Sequence, residues 1–294
     1  MTAAAFLQHA ARLCRAPIAF FAACAAVTGS LLASHQTPSF VGVTAVAVFI
    51  LAAGASALNQ YQERDIDASM ERTRRRPLPA GVISPSHALF IALLLIFVGL
   101  SMLALSAGRG PAFLGMIALL WYNGAYTYLK RVTAFAAIPG AIVGMIPPLI
   151  GWVAAGGSPA DPRLLVVCLL FFLWQVPHFW LQVLHHGEEY EQAGLPSLTK
   201  VLSKGQIARI TFIWICATAV ASLLLPFYGD LTSPLLYCPL LIAAAWMMVK
   251  GVNLVTVTAR RTPALSLSAF RHLNVFIFIV MSLLSMEKVL GHLK

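Results

Sequence analysis

Acidic residues are scarce in this chain. Asp and Glu total 10 among 294 residues, Lys and Arg total 20, and charged residues together make up 10%. Soluble domains carry roughly 25% charged residues, so a soluble globular class is excluded and an integral membrane class is indicated. Cysteine is also sparse. Cys14, Cys24, Cys168, Cys216 and Cys238 form no C-x-x-C pair and mostly sit in apolar runs, which argues against a disulfide framework or a zinc site. The net charge of +10 raises the question of nucleic acid. No basic face or recognition motif accompanies it. The basic residues lie in short segments between apolar runs, a distribution that reports membrane topology.

What the chain has in quantity is apolar sequence, at 60% of all residues. A transmembrane helix needs about 20 mostly apolar residues. Nine runs qualify: 16–34, 40–62, 87–107, 111–129, 134–156, 164–186, 207–229, 234–254 and 270–290. The prediction is an all-α, multi-pass transmembrane bundle of nine helices, one domain over residues 1–294. Nine spans put the termini on opposite sides of the bilayer. The N-terminal side then holds sixteen of the twenty basic residues, and the other side only Arg109, Arg163, Lys288 and Lys294. The positive-inside rule makes the first side cytoplasmic. A plasma (inner) membrane is expected, because about fifteen residues precede the first run, too few for an organelle transit peptide.

The few acids are not scattered. Glu63, Asp65, Asp67 and Glu71 follow the second run, and Glu188, Glu189 and Glu191 follow the sixth. Both clusters fall on the cytoplasmic side, four helices apart, as two halves of one site would. Asn59, Glu63 and Asp67 have i, i+4 spacing and share one helical face. An amide and two carboxylates are hard oxygen ligands that suit Mg²⁺, which often binds through one or two carboxylates plus substrate phosphates. The same spacing also fits a solvated juxtamembrane segment with local ion pairs to neighbouring arginines. Glu188 and Glu189 could supply a second metal or orient the first. Arg72, Arg76, Lys130 and Arg131 are candidates for binding a diphosphate, whose charge grows as its carbon–oxygen bond breaks; each also serves topology. His178 lies about two helical turns inward of His185. It could contact a haem, carry a proton or be hydrogen-bonded within the bundle.

Asn59, Glu63, Ile66, Asp67, Met70, Arg72, Thr73, Arg76 and Gly81 together resemble the signature of intramembrane prenyltransferases, the UbiA superfamily. The fuller string LNQYQERDIDASMERTRRRPLPAG resembles its haem O synthase (protohaem IX farnesyltransferase) branch. Tyr126 to Arg131, Pro147 to Trp152 and Pro177 to Trp180 agree with that branch. The resemblance implies a central cavity in which Asn59, Glu63 and Asp67 face Glu188 and Glu189 and hold Mg²⁺ on farnesyl diphosphate. It implies transfer of farnesyl to a vinyl group of haem b, giving haem O, with His178 as a haem contact. Haem A synthase or terminal-oxidase assembly proteins are the protein partners such a role implies. The second motif departs from the branch, reading Gly187-Glu188-Glu189-Tyr190 where K-D-D-Y is usual, and Arg15-Ala16-Pro17 replaces an N-terminal K-P-R. Three other functions compete: prenylation of a quinone precursor or other aromatic, transport, and non-catalytic haem binding. Transport fits poorly, since the acids lie at one membrane face and not near the midplane.

Overall fold

The computed structural model describes residues 3–33, 41–229, 231–256 and 262–292. Arg260, Arg261 and Lys294 of the topology count lie outside the described residues. Every regular element among the described residues is helical. Two helices precede the first loop, α1 (Ala3–Leu13) and α2 (Ala16–Ala33). Then come α3 (Val41–Gln62), α4 (Arg64–Ser69), α5 (Pro85–Ser106) and α6 (Arg109–Leu119). A π-helical stretch, Leu120–Tyr126, leads into α7 (Thr127–Leu129). The rest are α8 (Ala137–Gly140), α9 (Ile142–Ala154), α10 (Pro162–Gln192), α11 (Leu198–Val201), α12 (Lys204–Ser222), α13 (Pro234–Thr256) and α14 (Thr262–His292).

Eight stretches are long and apolar enough to cross a bilayer without interruption. The fourth predicted run, 111–129, is also helical, but its continuity is broken by the π-helical turns. Polar side chains bond within this stretch and to α3. Thr127 Oγ1 donates to the Tyr122 carbonyl at 2.8 Å. Asn123 Nδ2 donates to Ala55 O at 3.0 Å and to Gln62 Oε1 at 3.1 Å. The Thr127 bond gives the Tyr122 carbonyl a partner where the backbone ladder changes register, and the Asn123 bonds tie the π turn to α3, as a low-dielectric setting requires of polar groups.

The spans pack in chain order: α2 on α3, then α5, α6, α9, α10, α12, α13 and α14, which closes the ring on α2. Contacts of α2 with α9 and of α10 with α14 draw the ring inward. Close approach of α2 and α9 depends on two glycines. A Cβ at Gly151 would lie 1.8 Å from Ala26 O, and one at Gly29 would lie 2.0 Å from Pro148 O. Ser30 Oγ uses the short gap to donate to Gly151 O at 2.9 Å. Small residues permit such packing where the hydrophobic effect cannot drive helices together. The largest core cluster draws most heavily on α10 and includes Phe171 and Trp174 of that helix, Phe276 of α14 and Trp152 of α9. Phe90, Phe97, Leu105 and Phe113 face outward, as lipid contact requires.

α10 is 31 residues long, with Asp161 as its N-cap. At 1.5 Å per residue it runs about 46 Å, so its last turns, with Glu188 and Glu189, outreach the hydrocarbon core.

Candidate active site

A cavity of about 770 Å³ lies inside the ring. Its deep walls are apolar and aromatic, and its charged lining gathers at one end. That end is built on the junction of α3 and α4. The amide of Glu63 donates to Asn59 O at 3.0 Å, and that of Asp67 to Glu63 O at 2.7 Å. The i, i+4 ladder therefore survives the junction, and Asn59, Glu63 and Asp67 keep a common face. All three are buried, at 0%, 5% and 1% exposure, whereas the Asp65 side chain is 86% exposed. The solvated-segment alternative does not hold for the first motif.

Burial obliges these groups to find partners. Asp67 Oδ2 accepts from Arg76 Nη1 at 2.6 Å. Glu63 is ion-paired with Lys130. Asn59 Nδ2 donates to Thr127 Oγ1 at 3.0 Å, while Asn59 Oδ1 is buried with no hydrogen-bond partner among the described residues. Glu63 and Asp67 line the cavity, and Asn59 does not. Two buried carboxylates, with an unpartnered amide oxygen one helical turn before them, are hard donors of the kind that suits Mg²⁺ together with phosphate oxygens and water. Among the described residues no group of three or more Asp, Glu, His or Cys could hold a metal without such help.

Cations outnumber anions here. Arg12, Arg15, Arg72, Arg76 and Lys130 line the cavity against Glu63 and Asp67. Burial pulls the Lys130 ammonium below its ordinary pKa, opposed by the attraction of Glu63. Burial likewise lowers Arg76, helped by the like charge of Arg15 and opposed by Asp67. Such a site is short of negative charge until an anion enters it. Arg131 belongs outside the cavity wall: it donates to Gln62 O at 2.8 Å and lies over the Tyr128 ring, so it braces the loop that carries Lys130.

The second acidic motif comes from the C-terminal turns of α10. Glu188 is at the rim, its side chain 82% exposed and 3.2 Å from Lys204 Nζ. Glu189 Oε2 accepts from the Arg72 backbone amide at 3.1 Å, and its Oε1 lies 3.2 Å from His186 Nδ1. The two motifs are joined through the Arg72 loop, and neither glutamate lines the cavity.

His178 does line it. Its Nδ1 lies 2.9 Å from Asn274 Oδ1 and its Nε2 3.4 Å from Gln182 Nε2. The amide oxygen must accept, which places the ring proton on Nδ1. Trp174 and Phe270 pack on its ring at 4.9 and 4.7 Å. Nearer the charged end, Tyr122 stacks on Tyr126 at 6.1 Å and Tyr126 on Phe179 at 5.5 Å.

From the sequence, Arg15 counts as a topology charge and as part of Arg15-Ala16-Pro17, which stands where the resembled branch has K-P-R, and Tyr122 has no role. Both line the cavity, and Arg15 Nη1 donates to Tyr122 Oη at 3.3 Å. The signals were an arginine directly before an apolar run, which topology explained equally well, and its place in the motif position that departs from K-P-R.

Comparison with known proteins agrees with this architecture. Residues 19–276 match the UbiA prenyltransferase family. The chain is 41% identical over 264 residues to a protoheme IX farnesyltransferase of Geobacter sulfurreducens, covering 90% of this chain and 93% of the relative. It is 41% identical over 223 residues to a protoheme IX farnesyltransferase of Nitratidesulfovibrio vulgaris, covering 76% and 77%. The fold is similar to that of a digeranylgeranylglyceryl phosphate synthase, with a TM-score of 0.75 at 16% identity and coverage of 96% and 98%. It also resembles a UbiA homologue of Archaeoglobus fulgidus solved with GPP and Mg²⁺, with a TM-score of 0.65 at 14% identity and coverage of 94% and 99%.

Proposed function

The chain belongs to the UbiA prenyltransferase family, and from that premise we propose that it transfers a farnesyl group from farnesyl diphosphate to a vinyl group of haem b, making haem O. The chemistry rests on one observation: two buried carboxylates and a surplus of cations at the charged end of an otherwise apolar cavity. The choice of acceptor rests on 41% identity, across 90% of the chain, to a relative named for it.

Asn59, Glu63 and Asp67 would hold Mg²⁺, which when bound offsets charge on the departing diphosphate. Arg76 and Lys130 are already fixed by Asp67 and Glu63, so their donors are oriented before substrate arrives. Such preorganised charge acts most strongly in a water-excluded site. Arg72 adds a further guanidinium on a loop tied to Glu189. Loss of diphosphate leaves an allylic cation. Tyr122, Tyr126 and Phe179 line the cavity and offer it aromatic walls, and the apolar depth of the cavity keeps most water away. The terminal vinyl carbon attacks the cation, and water adds to the resulting ring-adjacent carbocation and loses a proton. His178, held as the Nδ1–H tautomer by Asn274, is the haem-contact candidate on the inner wall.

The location proposed is a plasma (inner) membrane, and charge placement supports a cytoplasmic side for the charged end. Proteins that consume haem O, such as haem A synthase or terminal-oxidase assembly proteins, are the partners implied.

The test is direct. Purified protein is given haem b, farnesyl diphosphate and Mg²⁺, and the haem products are analysed by mass. Haem O should appear, and be lost in Glu63→Ala and Asp67→Ala. Prenylation of an aromatic acid with no haem product would replace the acceptor.

A further inference from the structure

Arg15 sits where the fold would favour glycine. It is the break between α1 and α2, with φ of +45°, and among the described residues no other non-glycine has positive φ. Side-chain crowding makes that conformation costly for any residue with a Cβ. A residue held there against its preference points to a role for its side chain.

Backbone bonding does not need that side chain. The Arg15 amide donates to Arg12 O at 3.3 Å, and its carbonyl accepts from Ile18 N at 2.8 Å and Ala19 N at 3.2 Å. Gln60 of α3, next to Asn59, donates to Arg12 O at 2.8 Å and Leu13 O at 2.7 Å, which closes the end of α1. The turn is thus fastened from both sides, and the guanidinium is turned into the cavity.

Its electrostatic position is open. Asp67 is taken by Arg76 and Glu63 by Lys130. Among the described residues Arg15 forms no ion pair, and the hydroxyl of Tyr122 is a neutral acceptor. Burial would lower its affinity for a proton, but Tyr122, Glu63 and Asp67 more than reverse that. It stays a guanidinium beside a site with spare positive charge.

We infer that Arg15 is a substrate-binding residue that grips anionic oxygens of a substrate at the charged end of the cavity, aimed there by its left-handed backbone. Two sources carry such oxygens under the proposed function on which this rests: the diphosphate of the prenyl donor and the carboxylates of the porphyrin acceptor.

Arg15→Gly tests it, because glycine suits the backbone and removes only the side chain. Thermal stability should hold or rise. The KM for one substrate should rise about ten- to a hundredfold, the range for losing a charged hydrogen bond, with kcat changed less. A rise for farnesyl diphosphate assigns the diphosphate; a rise for haem assigns the carboxylates. Arg15→Lys should recover part of the loss. Binding of farnesyl thiolodiphosphate with Mg²⁺ to the full chain gives a readout independent of haem chemistry. If wild type binds that analogue but never modifies haem, the acceptor assignment fails and the Arg15 comparison still stands. Unchanged KM for both substrates in Arg15→Gly would overturn the inference. So would a stability loss large enough to account for the lost activity.

Discussion

Asp67→Asn keeps the shape of the side chain and removes its charge. Asp67 is 1% exposed and accepts from Arg76 at 2.6 Å, while the Arg76 side chain retains 20% exposure. Charges about 4 Å apart attract by about 4 kcal/mol at an effective dielectric near 20, and burial of both takes back much of that. Removing one partner leaves the other charge stranded, which costs about 3–5 kcal/mol in a fully buried pair. Residual solvation of Arg76 puts this case near the lower end, at about 3 kcal/mol. The catalytic effect has a different origin. Losing one preorganised group that stabilises developing charge lowers kcat by about a hundred- to a thousandfold. The assay is haem-product formation by mass-resolved chromatography, with thermal unfolding in detergent alongside. Arg76→Gln and the double variant complete a cycle. If the pair acts as a unit on the leaving group, the double variant is much less impaired than the product of the single losses. Strictly multiplicative losses, or Asp67→Asn activity within about threefold of wild type, would refute the reasoning.

Glu188→Ala should change stability by less than about 0.5 kcal/mol, since its pair with Lys204 is exposed; its activity, read in the same assay, should remain close to wild type. Gly151→Leu should abolish folded protein, judged by monodispersity in detergent, because even a Cβ there would collide with Ala26 O at 1.8 Å. Asp161→Ala should cost about 1 kcal/mol as the loss of an N-cap. Hydrogen bonds from the Arg163 side chain hold the Asp161 carboxyl below its usual pKa. Its contribution is therefore complete above the unfolded value of about 3.9 and lost as pH falls through the lowered folded one, so unfolding scans of wild type and variant should converge only in strong acid.

Much of the fold was readable from apolar run length. The first run, 16–34, became Ala16–Ala33, and the eighth, 234–254, became Pro234–Thr256. Length and hydrophobicity decide these because a bilayer demands both. The π-helical turn was not readable, since it depends on Asn123 reaching Ala55 and Gln62 on another helix. Nor was α1, whose end is secured by Gln60 from α3. In the candidate site, the i, i+4 spacing of Asn59, Glu63 and Asp67 correctly implied one face, because helical periodicity is local information. The relation of Glu188 and Glu189 to that face was not legible. Adjacent residues point about 100° apart on a helix, and the outcome turned on Lys204 and the Arg72 amide, both distant in sequence. Arg15 was missed for the same reason: its meaning lies in one backbone angle and in what surrounds it.

The central claim is that farnesyl ionises at the Glu63–Asp67 end of the cavity and is captured by a haem vinyl group with addition of water. Running the reaction with Mg²⁺ in water enriched in the heavy oxygen isotope, and weighing the haem product, tests it most directly. The account predicts haem carrying one farnesyl group and one heavy-oxygen hydroxyl. Unmodified haem, with farnesyl diphosphate consumed to labelled farnesol, would contradict it.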